Sequence, residues 1–454
     1  MRFLRFLWLL VAIVTLSQTG VSQVVPDGPQ TSPFDPQDGD TVVFLGDSIT
    51  HQSLYTQYIE NFFFTRFPSR NIRFHNAGVA GDSLANALVR FDDDVASHKP
   101  AYVTVLFGMN DGKYEEFDQT TLTTYQQAMI KLLDRINEIG AQAIVLSPTM
   151  FDHGVADARK DDATWRFQKK AISPNYNALM AFFGATAMQE SARRKLAYVN
   201  LWGPLNELTI NERRDDPSFT LVGDAIHPQA SGHVVMSFEI LSQLNVQPRS
   251  AASLVISKQG NRWVGKGATN IEFDSPHSQL SFDYQPRSLP WVIPDKHATK
   301  PLRWKLPSDG STGYKITHAG HKLSADRLKV IGLPPGKYAL TIDDVLVGNY
   351  SHAALGTKIE LQENPKTPQY QQSMKLAQLN RQRHDDAIRP MRDKWSTMKA
   401  LQRRYANNPA KAADPVKATQ AAIAEFARRS DEMMVNIRQL AQPKSHRWVI
   451  RKVN

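Results

Sequence analysis

Cysteine is absent from the 454-residue chain, and its absence excludes several classes of site. No thiolate can act as a nucleophile or hold a metal ion, and no disulfide can join the loops. Long apolar runs are scarce too: after the first residues, no segment reaches the roughly 20 apolar residues that a membrane-spanning helix needs. The composition, 41% hydrophobic and 22% charged, is that of a globular protein with enough apolar material for a buried sheet.

The one long apolar run lies at the amino terminus. Arg2 and Arg5 precede an almost wholly apolar stretch, residues 6–16, and small residues follow it near position 22. This order is typical of a secretory signal peptide, and the run is too short for a membrane anchor. We therefore expect residues 1–22 to be a signal peptide, the mature protein to have no transmembrane segment, and its location to be secreted or periplasmic.

The net charge of +10 is concentrated in one part of the chain. Residues 363–454 contain 19 Lys and Arg against 8 Asp and Glu, so the rest of the chain is close to neutral. In this basic region the charges alternate with apolar residues, as on a solvated helical surface. We therefore expect no nucleic-acid partner, although a basic tail that binds nucleic acid or an anionic surface is a third alternative.

Five short apolar runs alternate with helix-like stretches between residues 40 and 246. This alternation predicts a parallel sheet covered by helices on both faces, with ligands bound at the carboxyl ends of its strands. The predicted strands are Thr41–Leu45, Ile72–His75, Tyr102–Phe107, Ala143–Ser147 and Ala197–Leu201.

The rest of the chain divides by its patterning into three further segments. Residues 23–39 are polar and rich in proline, which indicates a linker, and residues 247–363 alternate in short stretches that indicate a small antiparallel β-rich domain. Residues 364–454 contain two apolar stripes at helical spacing, which predict a basic helical hairpin followed by a last strand at 448–453. We expect the two helices to pack against each other and the β-rich domain, with their basic faces in water.

Four short segments lie just after predicted strands or at the end of the α/β region, which we place at residues 40–246. They are Gly46-Asp47-Ser48-Ile49, Asn76 to Asp82, Gly108-Met109-Asn110-Asp111 and Asp224-Ala225-Ile226-His227-Pro228. Each is common alone, but together and in this order they resemble the motif blocks of the SGNH (GDSL-like) hydrolase superfamily. The resemblance, over roughly residues 38–244 and so under half of the chain, implies a three-layer α/β/α fold with a flavodoxin-like parallel sheet and the activity of a serine esterase.

The residue types in these segments suit hydrolysis of an ester. A serine hydroxyl is a weak nucleophile and needs an imidazole that takes its proton, which assigns Ser48 as nucleophile and His227 as base. Asp224, three residues before His227, is placed to orient the ring and to stabilise the imidazolium. The GxSxG elbow of the α/β-hydrolases is missing around Ser48, which disfavours that fold.

The resemblance also implies which groups stabilise the negative oxygen of the tetrahedral intermediate. They are the backbone amides of Ser48 and Gly81 and the side-chain amide of Asn110. Gly78 is an alternative to Gly81, and Gly81 is preferred because the glycine before Asp82 matches the family's block better. The proposed reaction needs neither a metal ion nor another cofactor.

Two further groups of polar residues near the motifs have a functional and a structural interpretation. Asp92, Asp93 and Asp94 resemble a metal cluster, but adjacent positions on a helix point in different directions, so a solvated face or a helix end is favoured. Four residues could line the acyl or alcohol pocket, or could belong to a helix start and a polar loop: His51, Tyr55, Asp152 and His153.

We therefore expect a secreted serine esterase whose substrate is a small-molecule or polysaccharide ester. Acetyl and other short acyl esters of carbohydrates are the leading class: export and the lack of an apolar stretch that could shelter an acyl chain favour short acyl groups, and the step to carbohydrates rests on the resemblance to the family. A lipid or thioester acylhydrolase is the alternative within the class. A catalytically inactive carbohydrate-binding or scaffold protein is the alternative outside it, and the oligomeric state is left open.

Overall fold

The computed structural model describes residues 33–246, 252–294 and 309–453. The predicted signal peptide, residues 1–22, and the first part of the predicted linker lie outside the described residues. Within the described ranges, no helix combines the length and the apolar character that crossing a membrane would require.

Five parallel strands form the first sheet, in the order β2-β1-β3-β4-β5. All six residues of β1 are buried, as expected for a strand covered on both faces. The order is that of flavodoxin-like sheets, which confirms the predicted fold class. The strands are β1 Thr41–Gly46, β2 Arg73–Gly78, β3 Tyr102–Leu106, β4 Gln142–Leu146 and β5 Ala197–Val199.

Nine helices accompany this sheet in the described range 33–246, and the side chains of β1 alternate between the two layers. Val42 and Phe44 belong to one apolar core with α2 and α9, whereas Val43 and Leu45 belong to the other with α3, α5 and α7. The helices are α1 Ser48–His51, α2 Leu54–Arg66, α3 Leu84–Val89, α4 Phe91–Asp94, α5 Gln119–Glu138, α6 His153–Ala158, α7 Tyr176–Arg193, α8 Trp202–Glu212 and α9 Ala230–Gln243, with a 3-10 turn at Ala96–His98.

The burial patterns of α2 and α5 reflect where each helix lies in the layers. In α5 the buried residues Tyr125, Met129, Leu132 and Ile136 recur every three or four positions, so one side faces the core and the other faces water. The helix begins at Gln119, earlier than its apolar stripe, because Asp118 caps it. In α2 all 13 residues are buried, because a further layer of helices covers its outer side.

The β-rich part contains two sheets, in the orders β13-β10-β6-β7 and β12-β11-β14-β9-β8, around a shared core. The expectation of a wholly antiparallel arrangement is wrong at one pair, because β6 and β10 run parallel. The strands are β6 Ala252–Gln259, β7 Arg262–Gly265, β8 Ala268–Asp274, β9 Gln279–Tyr284, β10 Asp326–Ile331, β11 Lys337–Ile342, β12 Val345–Ser351, β13 Ile359–Glu360 and β14 His446–Val453, and the short helices are α10 Ser311–Ile316, α11 Ala319–Leu323 and α12 His352–Thr357.

The carboxyl-terminal helices pack on the first domain. Leu376 and Ile437 belong to the same apolar core as α2 and α9, so the expected packing against the β-rich part is wrong for this face. The expectation that the basic faces stay in water is wrong at Arg383, Arg389 and Arg392, which are buried. The helical segments are α13 Pro368–Arg383, a π-helical segment His384–Ile388, α14 Arg389–Arg404, a 3-10 turn Pro409–Ala412 and α15 Ala413–Ala441.

Candidate active site

Ser48 lies at the carboxyl end of β1, where the chain turns from strand to helix. Asp47 caps the one-turn helix α1, since its Oδ1 accepts a hydrogen bond from the N–H of Ile49 at 2.9 Å. Gly46 leaves room for this turn, because a Cβ there would come within 2.1 Å of Thr50 Oγ1. Ser48 is thus the first helical residue, and its backbone N–H has no acceptor within the helix.

The ring of His227 joins Ser48 to Asp224. Its Nε2 atom is 2.9 Å from Ser48 Oγ, and its Nδ1 atom is 2.8 Å from Asp224 Oδ2. The other carboxylate oxygen of Asp224 accepts the backbone N–H groups of Ile226 at 3.1 Å and His227 at 2.7 Å. Because the Nδ1–H group is directed to the carboxylate, Nε2 is the atom that can accept the serine proton.

Asp224 is held as a carboxylate by this arrangement. Burial acts to raise its pKa, but the hydrogen bonds and the charge of His227 outweigh burial and hold the pKa below its usual value. The indole N–H of Trp165 donates to the backbone oxygen of Asp224 at 3.2 Å and ties the turn to the neighbouring segment. An ionised Asp224 can stabilise the imidazolium that forms when Ser48 loses its proton.

The loop after β2 carries the two glycines that the sequence leaves as alternatives. The N–H of Gly78 donates to Asn76 Oδ1 at 2.9 Å, and a Cβ on Gly78 would lie 2.2 Å from the backbone nitrogen of His51. Gly81 has a φ of +73° and open space where a Cβ would be, and its N–H has no acceptor among the described residues. These contacts favour Gly81, whose role as an oxyanion donor stays a prediction.

Asn110, in the loop after β3, lies between two other motif segments. Its Nδ2 donates to the backbone oxygen of Asp82 at 3.0 Å and lies 3.4 Å from Asp47 Oδ2. The hydroxyl of Tyr114 is 3.4 Å from its Oδ1. Asn110 therefore contacts the sequence neighbour of Ser48 and the sequence neighbour of Gly81, so the three predicted oxyanion donors come from segments that meet.

Two buried carboxyl groups lie beneath these loops. Asp111 accepts the backbone N–H groups of Leu84 at 2.9 Å and Gly108 at 3.0 Å, which ties the loop after β3 to the start of α3. Burial raises the pKa of Asp47 and of Asp111 to about 7 each, despite backbone hydrogen bonds that act to lower it. A carboxyl group that binds a proton near neutral pH limits the negative charge beneath a site that must receive an oxyanion.

An aromatic wall beside His227 was missed in the sequence. The ring centroid of Phe167 is 6.4 Å from that of His227, and the ring of Tyr114 is 6.1 Å from Phe167. Tyr114, Trp165 and Phe167 are all buried. The long connection between α6 and α7 that holds Trp165 and Phe167 has no regular periodicity, so its aromatic residues were the only available signal.

The four residues considered for pocket lining bond to structural neighbours. His51 Nδ1, for example, accepts the N–H of Ala80 at 3.2 Å. These contacts favour the structural interpretation at His51, Tyr55 and Asp152, whereas His153 lines a surface cavity together with Trp165. The other three pairings are Tyr55 with Thr50, Asp152 with Arg213 and Thr220, and His153 with Phe151.

His75, Asp94 and His98 form a cluster with the spacing of a metal site, but its charge environment does not suit a cation. Asp94 accepts hydrogen bonds from Arg90 at 2.5 Å and from Arg392 at 2.8 Å, so two cations already neutralise its carboxylate. The expectation of a solvated face or a helix end fits residues 92–94, since Asp92 and Asp93 are exposed and the buried Asp94 is the last residue of α4. The side-chain ligand atoms that lie within 4.8 Å of one another belong to His75, Asp94 and His98.

Comparisons with known proteins identify a matching family and similar chains. Residues 44–235 match the sequence model of the GDSL-like Lipase/Acylhydrolase family. An acetylxylan esterase from Geobacillus stearothermophilus is 20% identical over 231 residues, which are 46% of this chain and 95% of that protein. The structure of a gut microbial diltiazem-metabolizing enzyme superposes with a TM-score of 0.74 at 24% identity, over 93% of this chain and 100% of that one, and shows a shared fold.

The α/β/α layers and the four motif segments at one edge of the sheet define an SGNH hydrolase domain. The motif-bearing part of the chain therefore belongs to the SGNH hydrolase superfamily, and its family is that of the GDSL-like lipases and acylhydrolases. The protein is accordingly a carboxylic ester hydrolase.

Proposed function

We propose that this protein is an exported serine esterase that removes short acyl groups, chiefly acetyl, from carbohydrates through an acyl-enzyme. The continuous chain of hydrogen bonds from Ser48 Oγ through His227 to Asp224 is the observation that carries the proposal. Export is supported by the signal-like first 22 residues. Carbohydrate as the alcohol is supported by the acetylxylan esterase among the relatives.

The reaction uses these groups in two similar halves. Ser48 Oγ attacks the ester carbonyl carbon while His227 Nε2 takes the hydroxyl proton, and the carbonyl oxygen becomes negative. The amides of Ser48 and Gly81 and the side-chain amide of Asn110 stabilise that oxygen. When the intermediate collapses, His227 gives its proton to the departing alcohol. Water then attacks the acyl-enzyme with the same base and releases the acid.

The preference for short acyl groups rests on the buried aromatic residues beside the triad. Phe167 and Tyr114 flank His227 and Asn110, and both rings are nearly closed to solvent. These buried rings beside the triad support a short acyl group over the long chain that the lipid-acylhydrolase alternative requires.

A substrate panel tests the proposal. Purified protein is assayed on acetylated xylo-oligosaccharides and on p-nitrophenyl esters from acetyl to decanoyl, with Ser48→Ala as the control. We expect acetyl esters to be cleaved fastest and Ser48→Ala to be inactive. Faster cleavage of decanoyl esters would favour the lipid alternative, and amino-terminal sequencing of the exported protein would show whether the first 22 residues are removed.

A further inference from the structure

The helix α14 contacts the loop that carries Gly81, although the two are more than 300 residues apart in sequence. The Nζ atom of Lys399 donates to the backbone oxygen of Gly81 at 3.1 Å and to Asp82 Oδ1 at 2.5 Å. At the start of the same loop, Arg392 Nε donates to the backbone oxygen of Gly78 at 2.8 Å. The carboxyl-terminal region therefore holds both ends of the loop.

These contacts bear on the direction of one peptide group. The N–H of Gly81 belongs to the Ala80–Gly81 peptide, and the peptides on either side of it are both bonded. The preceding peptide donates the N–H of Ala80 to His51, whose ring lies 3.3 Å from Asp393 of α14. The following peptide offers its carbonyl oxygen to Lys399 and donates the N–H of Asp82 to Val79 at 3.1 Å.

Gly81 needs such restraint because of its backbone conformation. With a φ of +73° and no Cβ, a glycine can rotate with little steric resistance, so its own conformation does not fix the direction of its N–H. Bonds to the neighbouring peptides are then what hold the amide in place. A preorganised donor stabilises an oxyanion better than one that must reorient during the reaction.

We propose that Lys399 is a positioning residue, which holds the Gly81 carbonyl and the Asp82 carboxylate so that the Gly81 amide and Asn110 face the reacting oxygen. This inference rests on the proposed function. Asn110 enters because its Nδ2 donates to the backbone oxygen of Asp82, the residue that Lys399 anchors. The buried Asp82 carboxylate is shared with Arg90, at 2.8 Å, so loss of Lys399 leaves it with one cation.

Lys399 suits a test better than its neighbour Arg392. Arg392 is completely buried and paired with Asp94, so its removal threatens folding. The side chain of Lys399 keeps 20% of its surface exposed, at the rim of the contact. Lys399→Met keeps the apolar stem and removes only the charge. Lys394 on the same helix makes no ion pair in the described parts of the chain, so Lys394→Met is a matched control.

The experiment measures steady-state hydrolysis of p-nitrophenyl acetate by the full-length protein and its variants. We expect Lys399→Met to lower kcat about 10- to 100-fold with KM within about threefold, since a misplaced group weakens the transition state more than binding. Lys399→Arg should recover much of the loss, and Lys394→Met should match the wild type. A kcat of Lys399→Met within about threefold of wild type, or an equal loss in Lys394→Met, overturns the inference.

Hydrogen exchange supplies a readout that does not depend on turnover. In folded Lys399→Met, a peptide covering residues 79–82 should exchange faster than in wild type, while peptides from β1 are unchanged. Unchanged exchange in this loop overturns the inference even if activity falls. The proposed function fails differently: either wild type does not cleave the ester or Ser48→Ala still does, and the positioning role of Lys399 then fails with it.

Discussion

Buried acids behave differently in two regions of this molecule. Beneath the motif loops, Asp47 and Asp111 are met by backbone N–H groups, and burial raises the pKa of each to about 7. Along the contact with the carboxyl-terminal helices, Glu60 is met by His384 and Arg383 and Asp94 by Arg392 and Arg90, and the pKa values of both acids are lowered despite burial, that of Glu60 to about 2. The difference teaches that cations in direct contact with a buried carboxyl group, as at Glu60 and Asp94, keep it charged.

The same comparison accounts for part of the basic character of residues 363–454. Basic side chains of the carboxyl-terminal helices serve as counter-charges for acids of the hydrolase domain, so this share of the positive charge is used within the protein. Among the described residues, Arg383 pairs with Glu60, Arg392 with Asp94 and Lys399 with Asp82, and His384 also bonds Glu60.

The largest effect is expected at the motif loops, where a substitution should lower kcat. Asn110→Ala should lower kcat roughly 10²- to 10³-fold, as loss of one oxyanion donor does elsewhere, with little change in stability. Kinetics and thermal melting of the same preparation separate the two quantities. Asn211→Ala, at an exposed position of α8, is the control. A loss of only a few-fold would assign the third donor to another residue.

At the contact with the carboxyl-terminal helices, loss of a cation should change the free energy of unfolding. Arg392→Met removes a fully buried cation from Asp94 and should lower the free energy of unfolding by about 3 kcal/mol, because a buried charge loses a partner. Denaturant unfolding measures the difference. Arg428→Met, at an exposed position of α15, should leave the unfolding midpoint unchanged. Equal midpoints for wild type and Arg392→Met would contradict the account of the tail's charge.

A pH series on Glu60→Gln sharpens the comparison. Burial opposes the charge of Glu60, but His384, Arg383 and Asn380 lower its pKa from 4.5 to about 2. The unfolded chain therefore takes up this proton first as the pH falls. The stabilisation is complete above about pH 4.5 and is lost toward pH 2. At pH 6 the free energy of unfolding of wild type should exceed that of the variant by on the order of 2 kcal/mol, and the two values should converge near pH 2. A difference in unfolding free energy that persists at pH 2 would contradict this.

The smallest effect is expected at Asp326, where burial raises the pKa from 3.8 to about 7, although Arg66 acts to lower it. The folded protein keeps this proton longer than the unfolded chain, so the group destabilises the fold as the pH rises from about 4 to 7. The free energy of unfolding of Asp326→Asn should therefore be higher than that of wild type at pH 8 and closer to it at pH 4. Thermal melting at both pH values measures this, and a variant less stable at pH 8 would contradict it.

The sheet and the motif turns could be predicted because their signals are local. The apolar run before Gly46 and the capping Asp47 specify a strand, a turn and a helix start within a few residues. The resemblance carried by the four motif segments implied which turns meet, and Ser48 and His227 do meet. Element ends were less certain, as at α5, whose polar first turn lies outside its apolar stripe.

The contact between the carboxyl-terminal helices and the hydrolase domain could not be predicted from the sequence. An apolar stripe shows that a helix face is buried but not what covers it. Arginine and lysine are usually exposed, and the sequence does not show where their stems pack and their charges find partners inside the protein. Asp94 could not be separated from Asp92 and Asp93 for the same reason, since its partner Arg392 lies almost 300 residues away. The parallel pairing of β6 with β10 likewise depends on a long connection.

The central claim is that Ser48 carries the acyl group during turnover. Wild-type protein mixed with p-nitrophenyl acetate, quenched in acid within the first turnover and digested, can be mapped by mass spectrometry. The account predicts an acetyl group on the peptide containing Ser48, on the serine itself, and none in Ser48→Ala. An acetyl group on another side chain, or turnover by Ser48→Ala at the wild-type rate, would contradict it.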